Sequence, residues 1–360
     1  MLNILFSENE QFYRSLGLQN KADLTYHFDG MRLYKKNINI LKKYDLFVCA
    51  FYSLPHNTLL TKKFDELEIK TVIVCDGIYE ISNALNNIML KKYNLKLYFP
   101  ILQDYLIFPS NTECILFDDH VKMVNYMPKR IISKENKIPL PRENKILITT
   151  ANTAYFHDGE YQCLIKLLKD IIAYLMDNDI EFAIRIFDKK ILNDLDVSFQ
   201  KIQNDIDKPF EDTLSAYSSV ISTPSSIVIT AMYHERSVGQ LVYRDTPQLM
   251  LSGWLFPSVS VFMNSLSSFL KLDNERMIIQ NRFLSGYLKD STDLTTAITK
   301  VTELEKINIK KNRDYYDHIN QQHLNMLNSF FNFNLEFLAR KIYNKMKKNE
   351  LLKKIRAIIK

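Results

Sequence analysis

The sequence predicts an α/β protein of two Rossmann-like units facing each other across a cleft, with a helical extension at its C-terminal end. Three observations carry this. Continuous apolar runs such as Leu46 to Tyr52 (L-F-V-C-A-F-Y) and Lys70 to Asp76 (K-T-V-I-V-C-D) recur, and strands covered on both faces of a parallel sheet read that way. Helix-like stretches fall between them. Between residues 129 and 144 the composition shifts to Lys, Glu, Asn and Pro, including Pro139-Leu140-Pro141, which marks a linker between two alternating series.

The first unit is expected over residues 1–135. Its strands are Leu2 to Ser7, Leu46 to Tyr52, Lys70 to Asp76, Tyr105 to Pro109 and Glu113 to Phe117, with helices at Lys36 to Lys43, Thr58 to Leu67 and Asn83 to Tyr93. The linker spans residues 136–144, and a second unit follows over 145–330. There Lys145 to Thr150 is a strand, and Tyr161 to Met176 is a helix with Leu164, Leu167, Leu168, Ile171, Ile172 and Leu175 on one face. Glu181 to Phe187, Val220 to Ser222 and Gln240 to Tyr243 are further strands. Beyond Leu249 the pattern turns helical, with apolar surface at Ser265 to Leu270 and Phe330 to Leu338. Residues 331–360 end the chain as a basic amphipathic helix with Leu338, Ile342, Met346, Leu352, Ile355 and Ile359 at helical intervals.

Composition narrows the classes. At 360 residues, 46% hydrophobic and 24% charged, the chain is globular and long enough for two cores. No run reaches the length of a membrane-spanning helix, and Met1 to Phe6 has no basic region before its apolar run, so a cytoplasmic location is expected. Cys49, Cys75, Cys114 and Cys163 are scattered, which argues against a disulfide framework or a zinc site. Cys49 and Cys75 fall in expected strands and read as inert core residues. The net charge of +6 is concentrated at the end: Arg340 to Lys360 holds nine basic residues and one acid, a balance of +8, leaving −2 for the rest. The body is therefore not a nucleic-acid binder. The tail suits an anionic membrane surface, where each Lys or Arg contributes roughly 1 kcal/mol, or a solvated helix packed on the first unit.

Chemistry concentrates at three places. Ser218 to Thr230 (S-S-V-I-S-T-P-S-S-I-V-I-T) reads as strand, turn, helix, with Thr223, Ser225 and Ser226 at the helix opening. Unpaired backbone N–H groups and hydroxyl donors there suit a phosphate, although such residues also serve simply as caps. The stretch Thr149-Thr150-Ala151-Asn152-Thr153-Ala154-Tyr155 is dense in short hydroxyl and amide groups. It suits a ribose, base edge or phosphate, and equally an ordinary polar connection. Asp76 ends a buried strand and precedes Gly77. Partial desolvation favours such a carboxylate as a general base, and glycine permits a sharp turn or close substrate approach, while an Asp-Gly turn that only ends a strand reads the same way. His120 and His157 lack a second ligand at metal-binding spacing and read as solvated loop residues. Trp254 suits a sugar-stacking platform or a core position. No G-x-G-x-x-G, P-loop or G-x-S-x-G motif is present.

Asp-Gly after a first-unit strand, T-T-x-N at the end of a second-unit strand and a later T-P-S-S opening a helix together resemble the bacterial CMP-sialic-acid-dependent sialyltransferases and related CMP-ulosonate transferases of GT-B fold. The resemblance implies that Asp76 is the general base, with Gly77 on the acceptor side. It implies CMP binding by Ser225 and Ser226, with Thr149, Asn152, Thr153 and Thr223 around them. The family's His-Pro phosphate motif is missing; Arg185, in Ile184-Arg185-Ile186-Phe187-Asp188, is the cation offered in its place. The implied reaction is inverting transfer of a sialic-acid-like or Kdo-type sugar from a CMP-activated donor to a glycan or lipid-linked acceptor in surface polysaccharide synthesis. It needs no metal or other cofactor, and the basic segment 340–360 suits attachment to the inner face of the cytoplasmic membrane as well as packing on the first unit. Two other readings are a GT-B transferase using a UDP- or GDP-sugar and a non-catalytic, membrane-docked component of polysaccharide assembly.

Overall fold

A computed structural model describes residues 1–91, 93–109, 121–195, 202–306, 319, 321–322 and 342. The expected strand Glu113 to Phe117, His120, the apolar stretch Phe330 to Leu338 and the basic helix 331–360 with its membrane role lie outside these residues, Ile342 apart. Among the described residues, no helix is long and apolar enough to cross a membrane.

Two parallel sheets form, one per unit. The first holds β1 (Leu2–Phe6), β2 (Leu24–His27), β3 (Leu46–Cys49), β4 (Lys70–Val74), β5 (Tyr105–Phe108) and β6 (Lys122–Asn125) in the order β2-β1-β3-β4-β5-β6. The second holds β7 (Ile146–Thr149), β8 (Phe182–Arg185), β9 (Ser219–Ser222), β10 (Ser237–Leu241) and β11 (Trp254–Phe256) in the order β11-β10-β9-β7-β8. β3, β5 and β7 are buried at every position, as their unbroken apolar runs require. Three strands depart from the sequence expectation: β2 and β6 are the two edges of the first sheet, where LTYH and KMVN are too polar to read as covered strands, and the three-residue β11 is an edge of the second sheet in a stretch expected to be helical.

Each sheet is sandwiched by cores. Leu5, Phe47, Ile73 and Leu106 face one side of the first sheet with Leu60 and Phe64 of the helix Pro55–Glu66, and Ile4, Val48, Val72 and Ile107 face the other. In the second sheet, Ile146, Ile148 and Ile221 pack on the helices Asp158–Asp177 and Val259–Leu270. Leu147, Ala183, Val220 and Val238 pack on the helix Ile227–Tyr233. Trp254 is 1% exposed, edge-on to Phe269 with its Nε1 donating to Ser268 Oγ at 3.1 Å, so it is a core residue rather than a stacking platform.

Two features of the connection between units depart from the expected boundaries. The helix Leu294–Glu303, within the range 145–330, returns to the first unit, where Leu294, Ala297, Ile298 and Val301 pack into the core beside Ile4 and Val72. Lys70 Nζ caps its end by donating to the Val301, Thr302 and Leu304 carbonyls at 3.1, 2.6 and 2.8 Å. Residues 133–138, which run into the linker, are in turn bound to the second unit. Glu211 accepts from Ser133 N at 3.0 Å and Lys134 N at 3.3 Å, and Ile138 N donates to His234 Nδ1 at 3.2 Å. That bond leaves Nε2 as the proton-bearing nitrogen, which donates to Glu211 at 3.1 Å. Burial keeps His234 below its ordinary pKa, consistent with a neutral ring.

Candidate active site

Open α/β sheets bind ligands beyond the carboxyl ends of their strands, where the strand order reverses. In the second sheet that point lies between β7 and β9, because β8 is reached on one side of β7 and β9 on the other. The chain leaves it through Thr150–Thr153 and Thr223–Ser226, two of the three places singled out from sequence. Thr223 is fully buried and its Oγ1 accepts from Ala151 N at 2.8 Å, tying the two loops together. In the first sheet the reversal falls between β1 and β3. That position is filled by Glu8, which accepts from Asn57 Nδ2 at 2.8 Å, Ala50 N at 3.2 Å and the Tyr13 hydroxyl. Burial raises the Glu8 carboxyl above its ordinary pKa.

A cleft of about 440 Å³ opens between the units. The first unit contributes Gly77, Ile78 and Glu80 and the tip of the Ile81–Lys91 region; the second contributes Ala151, Thr153, Phe156, Pro224, Ser225 and Ser226. Gly77 and the two serines therefore line one cavity from opposite walls. Ser226 is the N-cap residue of the helix Ile227–Tyr233 but makes no side-chain capping bond, while Ser225 Oγ accepts from Ile227 N at 3.4 Å. Both serines are half-buried.

Asp76 lies two residues beyond β4 with 31% of its side chain exposed, and Arg130 Nη2 stands 2.8 Å from its Oδ2. The same guanidinium nitrogen donates to the Asp76 backbone carbonyl. Asp76 itself does not line the cleft, although its neighbour Gly77 does, and Arg130, six residues before the linker, fixes this strand end. Thr149 is buried, with its Oγ1 donating to the Arg185 carbonyl at 3.1 Å, and Asn152 is exposed; neither lines the cleft.

Arg185 does not line the cleft either. Its guanidinium donates to the Asp205 carbonyl and lies 5.1 Å from the Phe187 ring centroid, on the outer strand β8. Among the described lining residues there is no Lys, Arg or His, so the donors facing a ligand are neutral hydroxyls and amides.

Sequence reading missed the polar group behind the cleft wall. Arg244, after β10, pairs with Glu80 Oε1 at 2.9 Å and donates to the Ala154 carbonyl at 3.1 Å. Glu160 accepts from the Ser82 hydroxyl and from Phe156 N at 2.8 Å, with Arg244 Nε 3.8 Å away. Burial lifts the Glu80 carboxyl to about 6 against the opposing pull of Arg244. Burial works against the Arg244 charge as well, but Glu80, Tyr243 and Glu160 hold the guanidinium above its ordinary value. His157, expected to be a solvated loop residue, is instead the N-cap of Asp158–Asp177, accepting from Glu160 N at 3.3 Å and standing 3.8 Å from Glu160 and Asp245. No local motif marks Glu80 or Arg244, which are far apart in the chain.

No protein-family model and no curated protein sequence matches this chain. Solved structures do resemble it. A UDP-forming α,α-trehalose-phosphate synthase from Burkholderia xenovorans is 7% identical, covering 86% of this chain and 99% of its own, with a TM-score of 0.52. A UDP-GlcNAc 2-epimerase from Methanocaldococcus jannaschii, in complex with UDP-GlcNAc and UDP, is 12% identical over 76% of this chain and 93% of its own, at 0.47. The glycosyltransferase SnogD from Streptomyces nogalater is 12% identical over 84% and 99%, at 0.45. At such identities the likeness speaks to fold alone. Two parallel Rossmann-like sheets with a cleft between them make this chain a protein of GT-B fold.

Proposed function

We propose that this protein is a glycosyltransferase that moves a sugar from a nucleotide-activated donor to a hydroxyl acceptor held in the cleft. The observation that carries the reading is the shared cavity: Gly77, next to Asp76, on one wall and Ser225 and Ser226 on the other. Transfer requires a base to take the acceptor proton and fixed donors to stabilise negative charge on the departing phosphate. Asp76 is the proposed base, with Arg130 orienting its carboxylate. The Ser225–Ser226 turn and Thr153 are the proposed hydrogen-bond donors to the phosphate. In-line displacement then leaves the acceptor hydroxyl between Asp76 and the anomeric carbon, with the leaving group directed at the serines.

Two donor classes fit. A UDP- or GDP-sugar is favoured by the placement of Arg185, since the cation offered as companion to the serines in CMP-ulosonate transfer is held at Asp205 and Phe187 instead. The solved structure with the higher TM-score is described as UDP-forming, in keeping with that class. A CMP-ulosonate donor is supported by the D-G, T-T-x-N and T-P-S-S resemblance, and would direct the product to a glycan or lipid-linked acceptor.

Thermal shift with CMP, CDP, UDP and GDP separates the classes, because a ligand at one hundred times its Kd stabilises by about 2.7 kcal/mol. Stabilisation by UDP or GDP but not CMP selects the first class, and the converse selects the second. Asp76→Ala is expected to abolish transfer while nucleotide binding persists. Transfer surviving in that variant would remove Asp76 from the mechanism.

A further inference from the structure

Two buried side-chain contacts between the units lie on the segment that leads away from Asp76. Glu80 and Ser82, three residues apart from Gly77 at the nearer end, reach across to Arg244 and Glu160. Ser82 is fully buried, and Glu160 is 1% exposed. Arg244 lies over the Phe156 and Tyr243 rings at 5.2 and 5.4 Å, and its side chain is 8% exposed. Two carboxylates and a guanidinium out of water are costly unless paired in good geometry, so this group tolerates few alternative arrangements. Its contacts also extend to the other wall: Arg244, Glu80 and Ile78 share a small cavity with Pro224, the residue before Ser225.

We infer that Glu160 and Arg244 are positioning residues: from the second unit they hold segment 77–82, and through it the Asp76 end of β4, in register with the Ser225–Ser226 turn. Apolar contact between the units is non-directional and would permit sliding. Hydrogen-bonded ion pairs have one satisfied arrangement, and this one touches the segments carrying both candidate groups. The structural half of the inference rests on these contacts alone; its catalytic half rests on the transferase reading.

The test uses the full chain with Glu160→Ala, Ser82→Ala and the conservative Glu160→Gln, whose amide oxygen can still accept from Phe156 N while its NH2 donates to the Ser82 hydroxyl. In Glu160→Ala, hydrogen exchange at amides 77–86 is expected to rise at least about tenfold, while the strands of both sheets keep their protection. Ser82→Ala should give the same pattern more weakly, and decides the matter if Glu160→Ala does not fold. Transfer should fall in kcat by up to about a hundredfold, the scale of a displacement near 1 Å, with nucleotide Kd unchanged within about twofold and partial recovery in Glu160→Gln. Native exchange at 77–86 in folded variants would overturn the inference, as would a Kd that rises in step with the loss of kcat. If the native protein neither binds a nucleotide nor transfers a sugar, the transferase reading fails, and the exchange pattern alone decides whether the segment is held this way.

Discussion

Replacing Arg236 should cost the fold heavily, and the cost can be worked out from its surroundings. The side chain is fully buried. It donates five hydrogen bonds to carbonyls: Nε to Tyr217 at 3.0 Å, Nη1 to Ile138 at 2.6 Å and to His234 at 2.5 Å, Nη2 to Pro139 at 2.8 Å and Leu214 at 2.7 Å. Burial pushes the guanidinium down to about 10, so it remains charged at neutral pH. Methionine in its place keeps the apolar stem and removes every donor. The bonds to Tyr217, His234 and Leu214 are wholly inside, and each carbonyl left unmet there costs about 1 kcal/mol; the carbonyls of half-buried Ile138 and exposed Pro139, which can turn to water, add about 0.5 kcal/mol each. Arg236→Met should therefore destabilise by about 4 kcal/mol, within the range seen when a buried charged network is broken. Urea unfolding followed by the fluorescence of the single tryptophan, Trp254, reads this as a lower midpoint. Faster proteolysis should appear in the linker, because Ile138 and Pro139 lose their anchor. A loss below about 1 kcal/mol would refute the reasoning and show that the carbonyls find other donors.

Gly239 in β10 has no room for a side chain, because a Cβ there would lie 2.0 Å from Phe256 Cε2 in the core. Gly239→Ala should cost at least about 3 kcal/mol by overpacking, measured by the same urea unfolding, and a stability equal to the native protein's would contradict the packing described. Glu80 should give stability a pH dependence of definite sign. Its carboxyl is raised from 4.5 to about 6 by burial, so the folded state holds a proton that the unfolded chain has already released. This contribution is fully present below about pH 4.5 and is lost as pH rises through about 6, to a total of about 2 kcal/mol. The unfolding free energy of the native protein minus that of Glu80→Gln should fall by that amount as pH rises through the window, and a difference independent of pH would exclude it. Asp76→Asn should leave nucleotide-induced thermal stabilisation intact while removing sugar transfer, and loss of both would place Asp76 in donor binding instead.

The division between what sequence determines and what folding decides is plain in particular elements. β3, β4, β5 and β7 are legible because burial on both faces demands uninterrupted apolar runs, and that demand is local. The turn Thr223–Ser226 and the Asp76-Gly77 strand end are legible for the same reason: strand, turn and cap are set by neighbours within a few residues. β2 and β6 escape because an edge strand needs only one partner and half a covered face, leaving no unbroken pattern to read. The helix Leu294–Glu303 shows an apolar face, but that face cannot say which of two cores it will enter, and it returns to the first. Arg185 illustrates the same limit at the site. Its place at the end of β8 is readable from sequence, yet the direction of its guanidinium follows from Asp205 and Phe187, which only the folded chain brings to it. The pairing of Glu80 with Arg244, and of Ser82 with Glu160, lies furthest beyond reach. By itself, then, the sequence determined two Rossmann-like units and the two short stretches that open toward a ligand. Tertiary structure alone decided that those stretches line one cleft and which buried charges hold them there, because hydrophobic periodicity specifies that a residue is covered while an ion pair depends on which distant group does the covering.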